Sequence, residues 1–123
     1  MNEQNKKKIL IAEDEKPFAE ALERQLISVG YEVKSVSNGV EAILEIEKEN
    51  FDLVTLDLSM PIKNGFEVLS EIKEKGILIH VIVFSNLADE ENKDKARELG
   101  AREFFVKSET SLSDLTEYIK KII

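Results

Sequence analysis

Five side chains carry the chemistry this sequence can offer: Glu13 and Asp14, then Asp57, Ser85 and Lys107. Each place follows directly on a short apolar run, respectively Ile9 to Ala12, Phe51 to Leu56, Ile79 to Phe84, and Phe104 to Val106. Runs so rich in Ile and Val suit strands buried on both faces. In an open α/β sheet, ligands bind beyond the carboxyl ends of the strands, so these five residues would share one rim. Carboxylates forced together raise one another's pKa unless a cation neutralises them. A hard divalent ion such as magnesium would do so, because it takes oxygen ligands, keeps several waters and needs only a half-shell of protein oxygens. An ionised Asp57 beside it is a potential nucleophile towards phosphorus, giving an aspartyl phosphate. Lys107 would neutralise one phosphoryl oxygen, and the Ser85 hydroxyl would donate a hydrogen bond to another.

Taken one at a time, these residues have plainer explanations. Glu13 and Asp14 precede Pro17 at the start of a helix, where the dipole favours negative charge. Ser85 and Lys107 can be ordinary strand-end residues. Asp57 resists such a reading, because a carboxylate placed directly after Phe51 to Leu56 must leave the core or be neutralised. The functional reading rests on four strand ends carrying complementary groups at once.

The elements that must position these groups are legible as an alternation. A fifth apolar run, Tyr31 to Val36, alternates more than the others, as expected of a less buried strand. Between the runs, Phe18, Ala21, Leu22, Gln25, Leu26 and Val29 recur at helical spacing and stop at Gly30. Val40, Ile43, Leu44 and Glu47 share one face of a second helix, with Ile46 beside it. Phe66, Leu69 and Ile72 mark a third that ends near Gly76. Ala88 to Leu99 is highly charged, with only Ala88, Ala96 and Leu99 to dock, and Gly100 stops it. Leu112, Leu115, Ile119 and Ile122 form the closing stripe, introduced by a capping box from Ser111 to Asp114. Five strands alternating with five helices predict a parallel sheet covered on both faces. Asn38-Gly39 reads as a strand-to-helix turn without further function. His80 lies inside the fourth apolar run and, lacking partners, reads as structural.

Composition narrows the classes. At 123 residues the chain is expected to be one domain, residues 1–123, with residues 1–7 a polar, lysine-rich extension. Asp plus Glu number 25 and Lys plus Arg 17, a net charge of −8 that argues against nucleic-acid binding by this domain. The absence of cysteine excludes disulfides, thiolate metal sites and thiol catalysis, and a single histidine excludes multi-His metal sites. The apolar stretch from Ile9 is too short for a signal peptide or membrane span, so no membrane partner and a cytoplasmic location are expected. The GxxxxGK[ST] and GxGxxG phosphate loops are missing from the sequence.

The sequence resembles the receiver domains of two-component response regulators, including the single-domain chemotaxis member. The resemblance runs from about Lys8 to the end, through ILIAEDE at 9–15, LVTLDLSMPIKNG at 53–65, VIVFS at 81–85 and FFVK at 104–107. It implies a flavodoxin-like (βα)5 doubly wound sheet with strand order 2-1-3-4-5, in three αβα layers. By it, Asp57 would be the phosphoacceptor, and Glu13, Asp14, Asp57 and the backbone carbonyl of Ser59 would hold Mg²⁺, with Mn²⁺ as a substitute. Ser85 would be the switch hydroxyl and Lys107 the amine facing the phosphoryl group. Met60-Pro61 and Gly65 match the loop after the aspartate, and Phe104 stands at the aromatic switch position, without the hydroxyl of a tyrosine. Phe105 reads as a sheet residue.

The resemblance further implies a sensor histidine kinase or phosphotransfer protein as donor, and a downstream protein target or output domain as recipient of the signal. The domain would be a switch, an enzyme only toward its own phosphoryl transfer and dephosphorylation. Phosphorylation would draw Ser85 and Lys107 inward, let Phe104 turn in, and reshape the face made by the fourth helix, fifth strand and fifth helix. Two residues depart from the pattern. Ser108 stands where a proline usually follows the lysine through a cis bond, so either that bond is kept or the loop takes another course. Asn86 stands where a small residue is common; with Leu87 and Ser59 it is expected to tune phosphoryl hydrolysis.

Rival readings fit less of the sequence. A haloacid-dehalogenase-type phosphatase would carry a second aspartate where Ser59 stands, and a flavodoxin would carry hydroxyls, not Glu13-Asp14-Glu15-Lys16, in its first loop. A phosphorylation-independent interaction module on the same fold is the nearest competitor, although such members usually lose one of the acids or the lysine. The resemblance leaves open whether the chain is a whole single-domain regulator or a receiver from a longer one; any DNA-binding function would then lie elsewhere.

Overall fold

The computed structural model describes residues 6–123; of the expected polar extension, residues 1–5 lie outside the described part. Five strands, β1 (Lys8–Ala12), β2 (Glu32–Val36), β3 (Leu53–Leu56), β4 (His80–Ser85) and β5 (Glu103–Val106), pair in parallel in the order β2-β1-β3-β4-β5. They alternate with α1 (Lys16–Ser28), α2 (Gly39–Lys48), α3 (Gly65–Glu74), α4 (Glu90–Glu98) and α5 (Leu112–Ile122). This is the flavodoxin-like arrangement expected from the sequence.

The apolar runs divide by residue parity, as a pleated strand requires. Ile9, Ile11, Leu53, Ile82 and Phe84 face α1 and α5, where they pack with Leu22, Leu26, Leu115 and Ile119. Leu10, Ala12, Val54, Leu56, Val81, Val83 and Phe104 face the other way, onto Ala42, Ile46, Val68, Leu69 and Ala96 of α2, α3 and α4. Burial on both faces explains why these strands read as continuous apolar runs. β2 lies at the sheet edge with Glu32, Lys34 and Ser35 exposed, which accounts for its alternation.

Three helices differ from the sequence reading. In α2 the buried stripe is Gly39, Ala42, Ile43 and Ile46, while Val40 and Leu44 face solvent. The cause is Gly39: its N–H donates to the Lys63 carbonyl at 3.0 Å, and a Cβ there would come within 2.2 Å of that oxygen. This contact rolls the helix so that Gly39, Ala42 and Ile43 point inward. At α5 the capping box is half present. Ser111 Oγ accepts the Asp114 N–H at 3.0 Å, but Asp114, one methylene shorter than glutamate, makes no return bond to Ser111 N. The full box occurs instead at α3, between Asn64 and Glu67. α4 begins at Glu90, leaving Ala88 in the preceding loop, and Ala96 is its only fully docked residue. Among the described residues no helix is long and apolar enough to cross a membrane.

Candidate phosphoacceptor site

β1 and β3 are neighbours, and their register pairs Ala12 with Leu56, so Glu13-Asp14 and Asp57 leave the sheet side by side. The Asp57 N–H donates to the Ala12 carbonyl at 3.0 Å, one rung beyond the ladder, which fixes where its side chain starts. On the other side β4 delivers Ser85, and β5 delivers Lys107 one residue past the Ser85–Val106 pair. Gly65 closes the loop after Asp57. Its N–H donates to the Leu58 carbonyl at 3.0 Å, and a Cβ at this position would lie 2.4 Å from the Asp57 carbonyl oxygen.

All five residues expected from the sequence meet at one rim. Ligand oxygens of Glu13, Asp14 and Asp57 lie within 4.8 Å of one another. Asp57 is 4% exposed and Glu13 7%, whereas Asp14 faces solvent. Ser85 Oγ donates to Asp57 Oδ1 at 2.7 Å, and the Ser59 N–H donates to the same oxygen at 3.2 Å. Lys107 Nζ, its side chain 1% exposed, contacts Glu13 Oε1 at 2.6 Å, Asp57 Oδ2 at 2.9 Å and Glu15 Oε1 at 2.9 Å. The three ammonium protons thus serve three carboxylates. The Phe18 ring packs 4.8 Å below the same nitrogen.

The electrostatics follow from that geometry. Burial pushes the Glu13 carboxyl up to about 7, with the Asp57 charge adding to it, against the lowering pull of Lys107 and of the Glu15 N–H. Burial by itself would depress Lys107. The hydrogen bonds it donates to Glu13, Glu15 and Asp57 outweigh it and hold the ammonium above the ordinary lysine value. A buried acid held so high is one that a cation would stabilise in its ionised form. All three donors are hard oxygens, so the cluster fits a magnesium-class ion. The site opens through a cleft of about 390 Å³ bordered by Asp14, Glu15, Ser59, Asn86 and Leu87.

Sequence reasoning does not single out Glu15 or Phe18 as site residues. Glu15 is the third acid of one run, and only the fold shows that it reaches Lys107, 92 residues away. Phe18 has the spacing of a core residue of α1 but is only partly buried against that core, and its ring supports the lysine. Phe104 is 8% exposed and packs inward with Ala96, while Ser85 already bonds to Asp57. The sequence reading let both move in only after phosphorylation; here both occupy the inward position. Phe105 packs edge-on against Tyr118, 5.0 Å between centroids, on the α5 side. His80 opens β4 at the end of the sheet remote from the site, 3.5 Å from Arg102. No described peptide bond is cis, and after Lys107 the chain makes a 3₁₀ turn, Lys107–Glu109.

Residues 9–120 match the family model of the response regulator receiver domain. The probable transcriptional regulator ycf27 of Cyanophora paradoxa is 37% identical over 103 residues, which cover 84% of this chain and 43% of that protein. The alkaline phosphatase synthesis transcriptional regulatory protein PhoP of Bacillus subtilis is 32% identical, over 82% of this chain and 42% of its own length. This chain therefore spans less than half the length of these two curated relatives. Among solved structures, the response regulator TrrA of Thermotoga maritima, determined in complex with Mg²⁺-BeF, superposes with a TM-score of 0.83 at 34% identity, covering 95% of this chain and 99% of that one. With the family model spanning nearly the whole fold and the acid cluster, serine and lysine gathered at its rim, the chain belongs to the response regulator receiver domains.

Proposed function

We propose that this chain is a phosphoacceptor: Asp57 takes a phosphoryl group from a phosphohistidine on a sensor kinase or phosphotransfer protein, and the modified domain signals to a target protein or output domain. The observation that carries the reading is the Asp57 carboxylate, buried yet open to a cleft, with Ser85 on one oxygen and Lys107 on the other. A carboxylate oxygen of Asp57 forms the new P–O bond as the donor's P–N bond breaks and its imidazole leaves. Glu13, Asp14, Asp57 and the Ser59 carbonyl would hold Mg²⁺, which supplies charge neutralisation at the phosphoryl oxygens when bound. Ser85 and Lys107 then exchange their bonds with the carboxylate for bonds to the phosphoryl group, which adds roughly 1.5 to 2 negative charges at the rim.

The inward positions of Ser85 and Phe104 support a switch in which this arrangement pre-exists and the phosphoryl group stabilises it over an outward one. A preference of a few kcal/mol is enough to shift such an equilibrium. α4, anchored mainly through Ala96, is the element best able to respond. Asn86, Leu87 and Ser59 border the cleft and would govern how water reaches the phosphoryl group. The likeness to TrrA, solved in complex with Mg²⁺-BeF, supports a divalent cation at the same rim here.

The test is intact mass after incubation with acetyl phosphate and Mg²⁺, beside an Asp57→Ala variant and a magnesium-free control. One added phosphoryl group, absent from both controls and labile to base, is expected. No adduct on the parent, together with no binding of beryllofluoride, overturns the reading in favour of a phosphorylation-independent module.

A further inference from the structure

The ladder between β4 and β5 ends at the Ser85–Val106 pair, and from there the two chains separate into different loops. One bond reaches across the gap: the Ser108 N–H donates to Asn86 Oδ1 at 2.8 Å. Among the described residues it is the single hydrogen bond joining residues 86–89 to residues 107–111. Its two ends are the immediate neighbours of Ser85 and Lys107, and those two both bond to Asp57, at 2.7 and 2.9 Å. Asp57, Ser85, Asn86, Ser108 and Lys107 thus form a closed ring of covalent and hydrogen-bonded links around the carboxylate.

We propose that Asn86 is a positioning residue: by accepting the Ser108 N–H it acts as a side-chain rung beyond the sheet and holds Ser85 and Lys107 at their spacing across Asp57. The proposal rests on the phosphoacceptor reading above. It also makes Asn86 and Ser108 one feature. A proline at 108 would have no N–H to offer, and an alanine at 86 would have no oxygen to receive one, so each residue supplies what the other needs. Both residues are exposed, so the tie competes with water and is worth about one ordinary hydrogen bond. Its effect is therefore on the placement of the two groups that meet the phosphoryl oxygens, and the fold does not depend on it.

The experiment pairs Asn86→Ala with Asn86→Asp, which retains an acceptor oxygen, and reads two quantities in each. The first is hydrogen exchange at the Ser108 amide, followed by NMR. The second is the rate at which acetyl phosphate with saturating Mg²⁺ modifies Asp57. In Asn86→Ala the amide is expected to exchange at least about tenfold faster and modification to slow about fivefold, the equivalent of one neutral hydrogen bond. Asn86→Asp keeps the amide protected and is modified faster than Asn86→Ala, its added charge at the acidic cleft holding it below the parent rate. An unchanged Ser108 amide in Asn86→Ala overturns the tie. A freed amide with the parent rate of modification overturns its positioning role. A parent that takes no phosphoryl group overturns the phosphoacceptor reading itself, and that outcome is seen without any variant.

Discussion

Replacing Lys107 with methionine keeps most of the side-chain volume and removes the charge that three carboxylates share. Two of them, on Glu13 and Asp57, are buried, so the variant leaves them facing each other without a counter-ion. Breaking a buried pair by removing one partner costs about 3–5 kcal/mol. For a domain of this size that is a fall of roughly 12–20 °C in melting temperature, taking about 4 °C per kcal/mol. The loss should depend on pH in a definite direction. With Lys107 present, Glu13 titrates at about 7 in the fold against a usual 4.5, so the fold binds a proton there that the unfolded chain releases. Stability from this group is complete below pH 4.5 and is lost by about pH 7, a change of about 3 kcal/mol. Without Lys107 its lowering pull on Glu13 disappears, and the decline continues to higher pH. The deficit of Lys107→Met relative to the parent is thus larger at pH 8 than at pH 5. Mg²⁺, if held by the same acids, recovers part of it at pH 8. Scanning calorimetry at the two pH values, with and without Mg²⁺, reads all three effects. A variant that melts within about 2 °C of the parent at pH 8, or shows the same deficit at both pH values, would refute the argument.

Three other outcomes follow from single contacts. Glu15 is the most exposed of the three partners of Lys107, at 58%, and the cheapest for it to release to a phosphoryl oxygen. Glu15→Gln should therefore accelerate modification of Asp57 by acetyl phosphate, by up to about fivefold since an exposed ion pair is worth at most about 1 kcal/mol; a slower rate would contradict it. Gly65→Ala places a Cβ against the Asp57 and Leu58 backbone, at 2.4 and 2.7 Å, and should cost about 3 kcal/mol in chemical denaturation while also lowering the modification rate. The same substitution at Gly30, at φ +103° with no atom within 4 Å of the added Cβ, strains the backbone without a clash, whereas Gly65 has the clash without a positive φ. Ile62 sits at φ +70° at the centre of a three-residue turn closed by the Lys63 N–H on the Pro61 carbonyl, a costly conformation for a β-branched residue. Ile62→Gly should raise stability by about 1 kcal/mol, strain relief exceeding the added chain entropy; a fall in the denaturation midpoint would show that the turn stores no strain.

How much of this could be read from the residues follows from what each signal encodes. The residues alone dictate the alternation of strands and helices, because strands buried on both faces must be apolar throughout and helices docked on one face must be periodic. They also dictate the strand-end chemistry: Glu13, Asp14, Asp57, Ser85 and Lys107 interrupt apolar runs where polar groups must have a partner or a purpose. Tertiary structure decided what depends on contacts between distant segments. The roll of α2, which buries Ala42 and exposes Leu44, is set by the Lys63 carbonyl pressed against Gly39, a neighbour that no helical period encodes. The third carboxylate on Lys107 is Glu15, brought there by the turn into α1. The tie from Asn86 to Ser108 exists because parallel pairing of β4 and β5 ends both strands at one level. Periodicity reports which side of an element faces the core; which atoms meet across the rim depends on register and loop course, and these are settled only when the strands pair.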